Sequence, residues 1–233
     1  MTIRLASRRR LLAGAALLAP AAPTLAQTPL PPPAAERGVE RPRSPPEALS
    51  RDHAAIGRVL LIYEAAVRRV GNGEDIEALI FTQTGEVMRE FAHGHVEAIE
   101  EELIFPAFRK GGRMVALVEE LQAQHGIGRQ LTERIASAAE PARNSAAERT
   151  AMLEAMRASV TLYRPHLARK DTDILPTLRH LVTPKEYDEI ARTIEARETE
   201  RFGSEGFVKV VKKIEAIEKK IGIHDLGQFR PKT

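Results

Sequence analysis

Residues 49–70 read LSRDHAAIGRVLLIYEAAVRRV, and this stretch decides the fold class. Its inward-facing positions recur at alternating steps of four and three residues: Leu49, His53, Ile56, Leu60, Tyr63, Val67 and Val70. This spacing is typical of a helix that packs one face against other helices. We predict that the helix begins near Ser44-Pro45-Pro46-Glu47 and ends at Gly71-Asn72-Gly73. His53 therefore occupies a core position.

Three further long helices are predicted at about 75–108, 114–139 and 147–182. Pro106 is expected to kink or end the second of them. The inward row of the third follows the same rhythm: Val118, Leu121, His125, Gly128, Thr132 and Ile135. Four such helices predict a bundle.

The fourth helix places an acidic residue in its inward row and is interrupted by Pro165 and Pro176. The row reads Val160, Tyr163, Leu167, Asp171, Ile174, Leu178 and Leu181. His166 lies beside this row. Asp171 is accordingly expected in a core position.

The C-terminal segment predicts a helical hairpin, roughly 184–202 and 205–221, joined at Gly203-Ser204. Thr183 and Glu186 have the spacing of a helix-capping pair at its start. Hydrophobic residues make up 43% of the chain but aromatic residues only 4%, a balance that favours helices. The predicted fold is all-α: a four-helix up-down bundle over 47–182 with a C-terminal helical extension over 183–233.

The N-terminal region reads as an export signal followed by a linker. Ser7-Arg8-Arg9-Arg10-Leu11-Leu12 opens an Ala/Leu-rich run, and the order resembles a twin-arginine signal. The run is shorter than the ~20 residues of a membrane-spanning helix, so an anchor is the less favoured alternative. We expect a signal over 1–26, a proline-rich linker over 27–46 and a periplasmic or otherwise exported protein, with no stable membrane insertion after cleavage.

Charge and cysteine content exclude several functions. The formal net charge is +3, and four arginines lie in residues 1–26, so the remainder carries −1. A nearly neutral surface argues against nucleic-acid binding by charge. The absence of cysteine excludes thiolate metal sites, iron–sulfur clusters and cysteine nucleophiles.

Ionisable side chains recur at inward positions of different helices. His53, His125 and His166 lie on the first, third and fourth helices, and the second carries His93, His95 and an acidic run from Glu97 to Glu102. Burying each such group without a partner costs roughly several kcal/mol of folding free energy. A cation removes that cost, and imidazole with carboxylate suits iron, manganese or zinc. His95 is either a spare ligand or, as we prefer, a polar helix residue, and His180 and His224 are expected at the surface.

Taken in order, His53, Glu100-Glu101-Glu102-Leu103-Ile104-Phe105-Pro106, Gln124-His125 and Tyr163-Arg164-Pro165-His166 form a recognisable pattern. This pattern resembles the hemerythrin-like (HHE cation-binding) family over about residues 48–182. The resemblance implies a four-helix bundle whose core holds a non-haem di-iron or related centre. It also implies oxygen carriage, oxygen or iron sensing, or reaction with peroxide or nitric oxide.

The resemblance implies ligands at His53, His125 and His166, together with Asp171. It places another histidine at position 96, where this chain has Val96. His93 with Glu97 is a candidate replacement for that histidine.

The implied bridging carboxylate is Glu100, with Glu101 as its alternative. Two other ligand positions hold Arg129 and Lys170, so a single-metal or degenerate site is an alternative to the di-iron centre. Because an ammonium repels a metal cation, the amine of Lys170 is expected to turn toward solvent.

The functional prediction is an iron protein, with a di-iron centre and with O2, peroxide or NO as its small ligand. Manganese or zinc is the alternative metal. A metal-free interaction module and a metal-storage or buffering bundle are the alternative functions. The sequence does not decide whether the protein is an enzyme, and it does not give the oligomeric state.

Overall fold

The computed structural model of the protein describes residues 42–231. Every regular element in this range is helical and no strand occurs within it, which confirms the predicted all-α class. The predicted export signal lies outside the described residues, as does the predicted linker up to residue 41. Between residues 42 and 231, no helix is both long enough and apolar enough to cross a membrane.

Helix α1 spans Pro45–Gly71 and begins and ends where the sequence predicts. The backbone N–H of Ser44 donates to the carboxylate of Glu47 at 2.9 Å, which closes the predicted cap. The inward row is buried as far as Tyr63, His53 included, and is half-buried beyond it.

The second bundle helix is a continuous helical run that contains two π-helical segments. It consists of α2 (Ala78–Val87), π1 (Met88–Glu97), π2 (Glu100–Ile104) and α3 (Phe105–Gly111). The run does not end at Pro106. That proline lies in the first turn of α3, where its missing N–H leaves no α-helical hydrogen bond unmade.

The third and fourth bundle helices are antiparallel neighbours. The third is α4 (Val115–Ala138), and its six predicted inward positions are all buried. The fourth consists of α5 (Ala146–Arg169), π3 (Lys170–Ile174) and α6 (Leu175–Leu178). Pro165 lies inside α5 without ending it.

The four bundle helices enclose one apolar core. Helix α1 packs against α5, α5 against α4, α4 against the second bundle helix, and π1 against α1. The ring of contacts leaves a central axis toward which one face of every helix points. This arrangement confirms the predicted four-helix bundle.

The C-terminal extension is the predicted hairpin, α7 (Pro184–Phe202) and α8 (Gly206–Lys220). It packs against α1 and the second bundle helix. Arg58 of α1 donates to Glu218 of α8 at 2.8 Å, and the pair buries the carboxylate between the two helices. The hairpin therefore covers one side of the bundle.

Candidate metal centre

Ionisable side chains from all four bundle helices meet on the central axis. We call them the central cluster, and they comprise His53, His93, Glu97, Glu100, Glu101, His125, Arg129, His166 and Lys170. All except Glu101 and Arg129 are at most 8% exposed. The convergence that the sequence predicts for His53, His125 and His166 is therefore present. The contacts within the cluster also involve residues that the sequence did not place there.

Glu100 of π2 is the centre of this network. Its Oε1 lies 2.9 Å from His53 Nε2, and its Oε2 accepts a hydrogen bond from Lys170 Nζ at 2.8 Å. The same Oε2 lies 3.4 Å from His125 Nε2. Burial acts to raise the pKa of Glu100, but the ammonium of Lys170 and the hydrogen bonds of the two imidazoles outweigh it and hold that pKa well below its usual value. Glu100 is therefore a buried carboxylate anion.

Asp171 approaches the cluster from its rim. Its Oδ1 lies 2.7 Å from His53 Nδ1 and accepts a hydrogen bond from Ser50 at 2.9 Å. Its side chain is 36% exposed, so the prediction that it occupies a core position is wrong. The π3 segment begins at Lys170, and in this wide turn the buried position falls to Lys170 instead. Asp171 acts on the cluster through its contact with His53.

Glu97, Glu101 and His125 form the tightest grouping of ligand-type atoms. One donor atom from each lies within 4.8 Å of the other two. His125 Nδ1 lies 2.8 Å from Glu101 Oε1. The guanidinium of Arg129, which is 44% exposed, donates to both carboxylates at 3.2 Å. Two carboxylates and an imidazole thus face a shared space whose outer edge is closed by a cationic side chain.

Two groups hold Glu97 in place. Tyr163 donates its hydroxyl to Glu97 Oε1 at 2.9 Å, and His93 Nδ1 lies 3.0 Å from Oε2. Burial, followed by the charge of Glu97, raises the pKa of Tyr163 far above its usual value, so the hydroxyl keeps its proton. His93 Nε2 lies 2.9 Å from the hydroxyl of Thr132, which supports the ring from α4. The predicted pairing of His93 with Glu97 therefore exists as a contact.

A glycine in α4 makes room for Tyr163. A Cβ atom at position 128 would lie 2.0 Å from the Tyr163 hydroxyl oxygen, far inside van der Waals contact. Gly128 is therefore required by the close approach of the phenol and not by a turn. This explains why a glycine occupies an inward position in the middle of a long helix.

His166 presents a free nitrogen to the interior. Its Nδ1 lies 2.9 Å from Gln124 Oε1, an acceptor, so Nδ1 carries the proton. Its Nε2 is buried and makes no hydrogen bond with any described residue. Burial, with the nearby charge of Lys170, lowers the pKa of His166 to about 2. The ring is neutral at ordinary pH, and its Nε2 lone pair is directed into the protein.

The imidazole of His125 has an acidic group at each nitrogen. Nδ1 faces Glu101 at 2.8 Å and Nε2 faces Glu100 at 3.4 Å. If the ring is neutral it has only one N–H, and the other nitrogen then faces a carboxylate with a lone pair. A cation between them would convert this repulsion into coordination, because neutral imidazole and carboxylate are both metal ligands. Together with Nε2 of His166, this donor set fits a bound metal ion.

The remaining histidines lie outside the cluster. His95 is buried between Phe91 and Phe202 at ring-centroid distances of 6.1 and 5.2 Å. Its side chain faces the hairpin, and it acts as part of an aromatic contact. His180 and His224 are exposed, as predicted.

Sequence reasoning missed the position of one functional side chain. Lys170, whose amine was expected to reach solvent, is 1% exposed and directs its ammonium at Glu100. The sequence contained part of the information. His166 and Asp171 are five residues apart, and both side chains can reach one site only if the helix widens between them. Lys170 lies four residues after His166 and is buried on the same face of the helix.

The fold and the cluster together define a four-helix bundle with a buried histidine–carboxylate centre, a class built to hold cations between facing helices. Residues 44–178 match the family described as the hemerythrin HHE cation binding domain, and the chain belongs to this family. Membership supports metal binding by the bundle.

Three mycobacterial relatives share 35% identity over 199 residues, which is 82% of this chain and 76% of theirs. They come from Mycobacterium bovis and from the CDC 1551 and H37Rv strains of Mycobacterium tuberculosis, and each is named only as an uncharacterized protein. No solved structure matches the chain.

Proposed function

We propose that the protein binds non-haem iron in the central cluster and that the iron site binds or reacts with dioxygen, peroxide or nitric oxide. The observation that carries this proposal is the buried Nε2 of His166, which has no hydrogen-bond partner among the described residues, next to His125, whose two nitrogens each face a carboxylate. Unpaired buried acceptors are costly, and a metal ion is the partner that suits them. Manganese and zinc share the preference for these donors.

The chain's own residues divide into ligands and supports. Glu97, Glu101 and His125 are the proposed first ligands, because their donor atoms already lie within 4.8 Å of one another. Tyr163 fixes the orientation of Glu97 by its hydrogen bond, and such outer contacts tune a metal's ligands. Arg129 is the side chain that must move outward when a cation enters between the two carboxylates.

The dry interior sets the chemistry that the site would support. A bound iron ion would supply a Lewis acid that can take a small molecule as a further ligand. Val96, Ile99 and Phe105 in the neighbouring core are fully buried, so that side of the cluster excludes water, whereas Glu101 and Arg129 on the other side are partly exposed. A small diatomic ligand fits such a surrounding better than a large polar substrate.

Metal analysis of protein purified from iron-supplemented cells tests the proposal. We expect stoichiometric iron, and an optical spectrum that changes when oxygen is admitted to the reduced protein. His125→Ala is expected to lower the iron content while the helices remain formed, whereas His180→Ala, at an exposed position, is expected to leave it unchanged. Iron content that is equal in the two variants would remove His125 from the ligand set.

A metal-free bundle that acts as an interaction module is the second candidate. It is favoured by the ion pairs of Lys170 with Glu100 and of Arg129 with Glu97 and Glu101, which supply internal positive charge. Absence of metal from the purified protein, with a melting temperature unaffected by chelator, would select this candidate. Bound iron that is inert toward oxygen and peroxide would instead select metal storage.

We also propose that the chain is exported through its twin-arginine-like signal. The support is the sequence of residues 7–12 alone. Replacing Arg8 and Arg9 with lysine tests it, since a twin-arginine pathway requires those residues. The variant is expected to remain in the cytoplasmic fraction of the cell, and unchanged export would refute the assignment.

A further inference from the structure

A buried lysine lies against the carboxylate at the centre of the cluster. Lys170 Nζ donates to Glu100 Oε2 at 2.8 Å, and both side chains are 1% exposed. Removing an ammonium from water is expensive unless an anion compensates it. Lys170 lies four residues after the buried His166, on the same face of the fourth bundle helix, where π3 begins. The fold therefore maintains a positive charge at a position where it is costly.

Lys170 lies between two helices of the bundle. It belongs to π3 of the fourth bundle helix, and its ammonium contacts Glu100 of π2 in the second. A positive charge therefore lies between facing helices, as a metal ion in the centre of the bundle would.

The space beside Glu100 is already occupied by the ammonium. Lys170 Nζ and His125 Nε2 approach the same oxygen, Glu100 Oε2, at 2.8 and 3.4 Å. The other oxygen, Oε1, lies 2.9 Å from His53 Nε2, and the second nitrogen of His53 is engaged by Asp171 at 2.7 Å. A second ion bound to Glu100 would have to displace one of these groups.

From these observations we infer that the ammonium of Lys170 takes the place of a second metal ion beside Glu100, so that the centre binds one divalent ion per chain and not two. This inference rests on the proposed metal-binding function. It replaces the di-iron centre predicted from the sequence by a site that pairs one metal ion with one built-in ammonium.

Counting bound iron tests the inference. Full-length apoprotein is titrated with Fe(II) under nitrogen, and iron per chain is measured after removal of free metal. The wild type is expected to bind one ion. Lys170→Glu, which replaces the ammonium by a further ligand, is expected to bind two. Lys185→Glu makes the same charge change at an exposed lysine and is expected to bind one.

A second variant covers the case in which Lys170→Glu does not fold. Lys170→Met keeps the length of the side chain and removes its charge, which leaves Glu100 short of a cation. Its apoprotein is expected to melt at a lower temperature than the wild-type apoprotein. Its melting temperature is expected to rise more when Fe(II) is added. An equal gain in the two proteins would overturn the role given to Lys170.

The stoichiometries separate the possible failures. Two ions in the wild type would overturn the inference and leave metal binding intact. One ion in both the wild type and a folded Lys170→Glu variant would show that the lysine does not exclude a second ion. No bound iron in the wild type would overturn the proposed function together with the inference.

Discussion

The contact between Gly128 and Tyr163 gives a prediction whose size follows from the structure. In Gly128→Ala the new Cβ would lie 2.0 Å from the phenol oxygen and 2.7 Å from Cζ, so the ring must move and its hydrogen bond to Glu97 is lost. Losing a hydrogen bond to a buried charge costs about 1.5–3 kcal/mol. Overpacking adds about 1–3 kcal/mol, and the better helix propensity of alanine returns about 1 kcal/mol. We expect a net loss of about 1.5–5 kcal/mol.

A second glycine of the same helix provides the control. A Cβ at Gly126 would meet nothing within 4 Å, so Gly126→Ala is expected to stabilise the protein by about 1 kcal/mol through helix propensity alone. Urea unfolding followed by circular dichroism measures both variants. The two substitutions are chemically identical and are expected to have opposite signs.

A double-mutant cycle isolates the hydrogen bond. Tyr163→Phe alone leaves Glu97 Oε1 without its donor and is expected to cost about 1.5–3 kcal/mol. Once the hydroxyl is gone, Gly128→Ala should cost less than it does in the wild type, because the bond cannot be lost twice and the closest clash, at the phenol oxygen, is also removed. Additive effects, or a Gly128→Ala variant as stable as Gly126→Ala, would refute the placement of the phenol.

Two further predictions concern the C-terminal hairpin. Thr183→Ala removes the hydroxyl that accepts from the backbone N–H of Glu186 at 3.2 Å, and is expected to cost about 1 kcal/mol in urea unfolding; an unchanged midpoint would contradict the cap. Glu198 accepts from Arg51 at 2.5 Å and from the backbone N–H of Phe207 at 2.9 Å. Burial acts to raise the pKa of Glu198, but these bonds lower it overall below its ordinary 4.5, so its stabilisation is present at neutral pH and is lost as the pH falls through the lowered pKa. Glu198→Gln should therefore unfold more easily at neutral pH and lose less stability on acidification, as measured by unfolding at a series of pH values; parallel pH profiles would contradict this.

The helices and their inward faces were predictable because periodicity and capping are local properties of the sequence. The row through His125 on α4 has a spacing of three and four residues, and every member of it is buried. The Ser44 and Thr183 caps were also readable, since each depends on a residue three positions away. These features determine that the helices form a bundle, and they place the histidines on its axis.

The detailed contacts of the centre were not predictable, because an α-helical period cannot describe a π-helical turn. In π3 the residue after Arg169 turns inward, so Lys170 and not Asp171 takes the buried position. In the second bundle helix, Glu97 and Glu100 are both buried, and their spacing of three residues was already compatible with one helix face. Where a helix widens depends on contacts with its neighbours, and these are absent from any local pattern.

The central claim is that one metal ion lies inside this bundle, held by imidazole and carboxylate. Anomalous diffraction at the iron absorption edge, from crystals of the Fe(II)-loaded protein, tests it most directly. The account predicts one strong peak per chain, within bonding distance of Glu97, Glu101 and His125, with the amine of Lys170 still on Glu100. A bundle interior without a peak, or with two peaks bridged by Glu100, would contradict it.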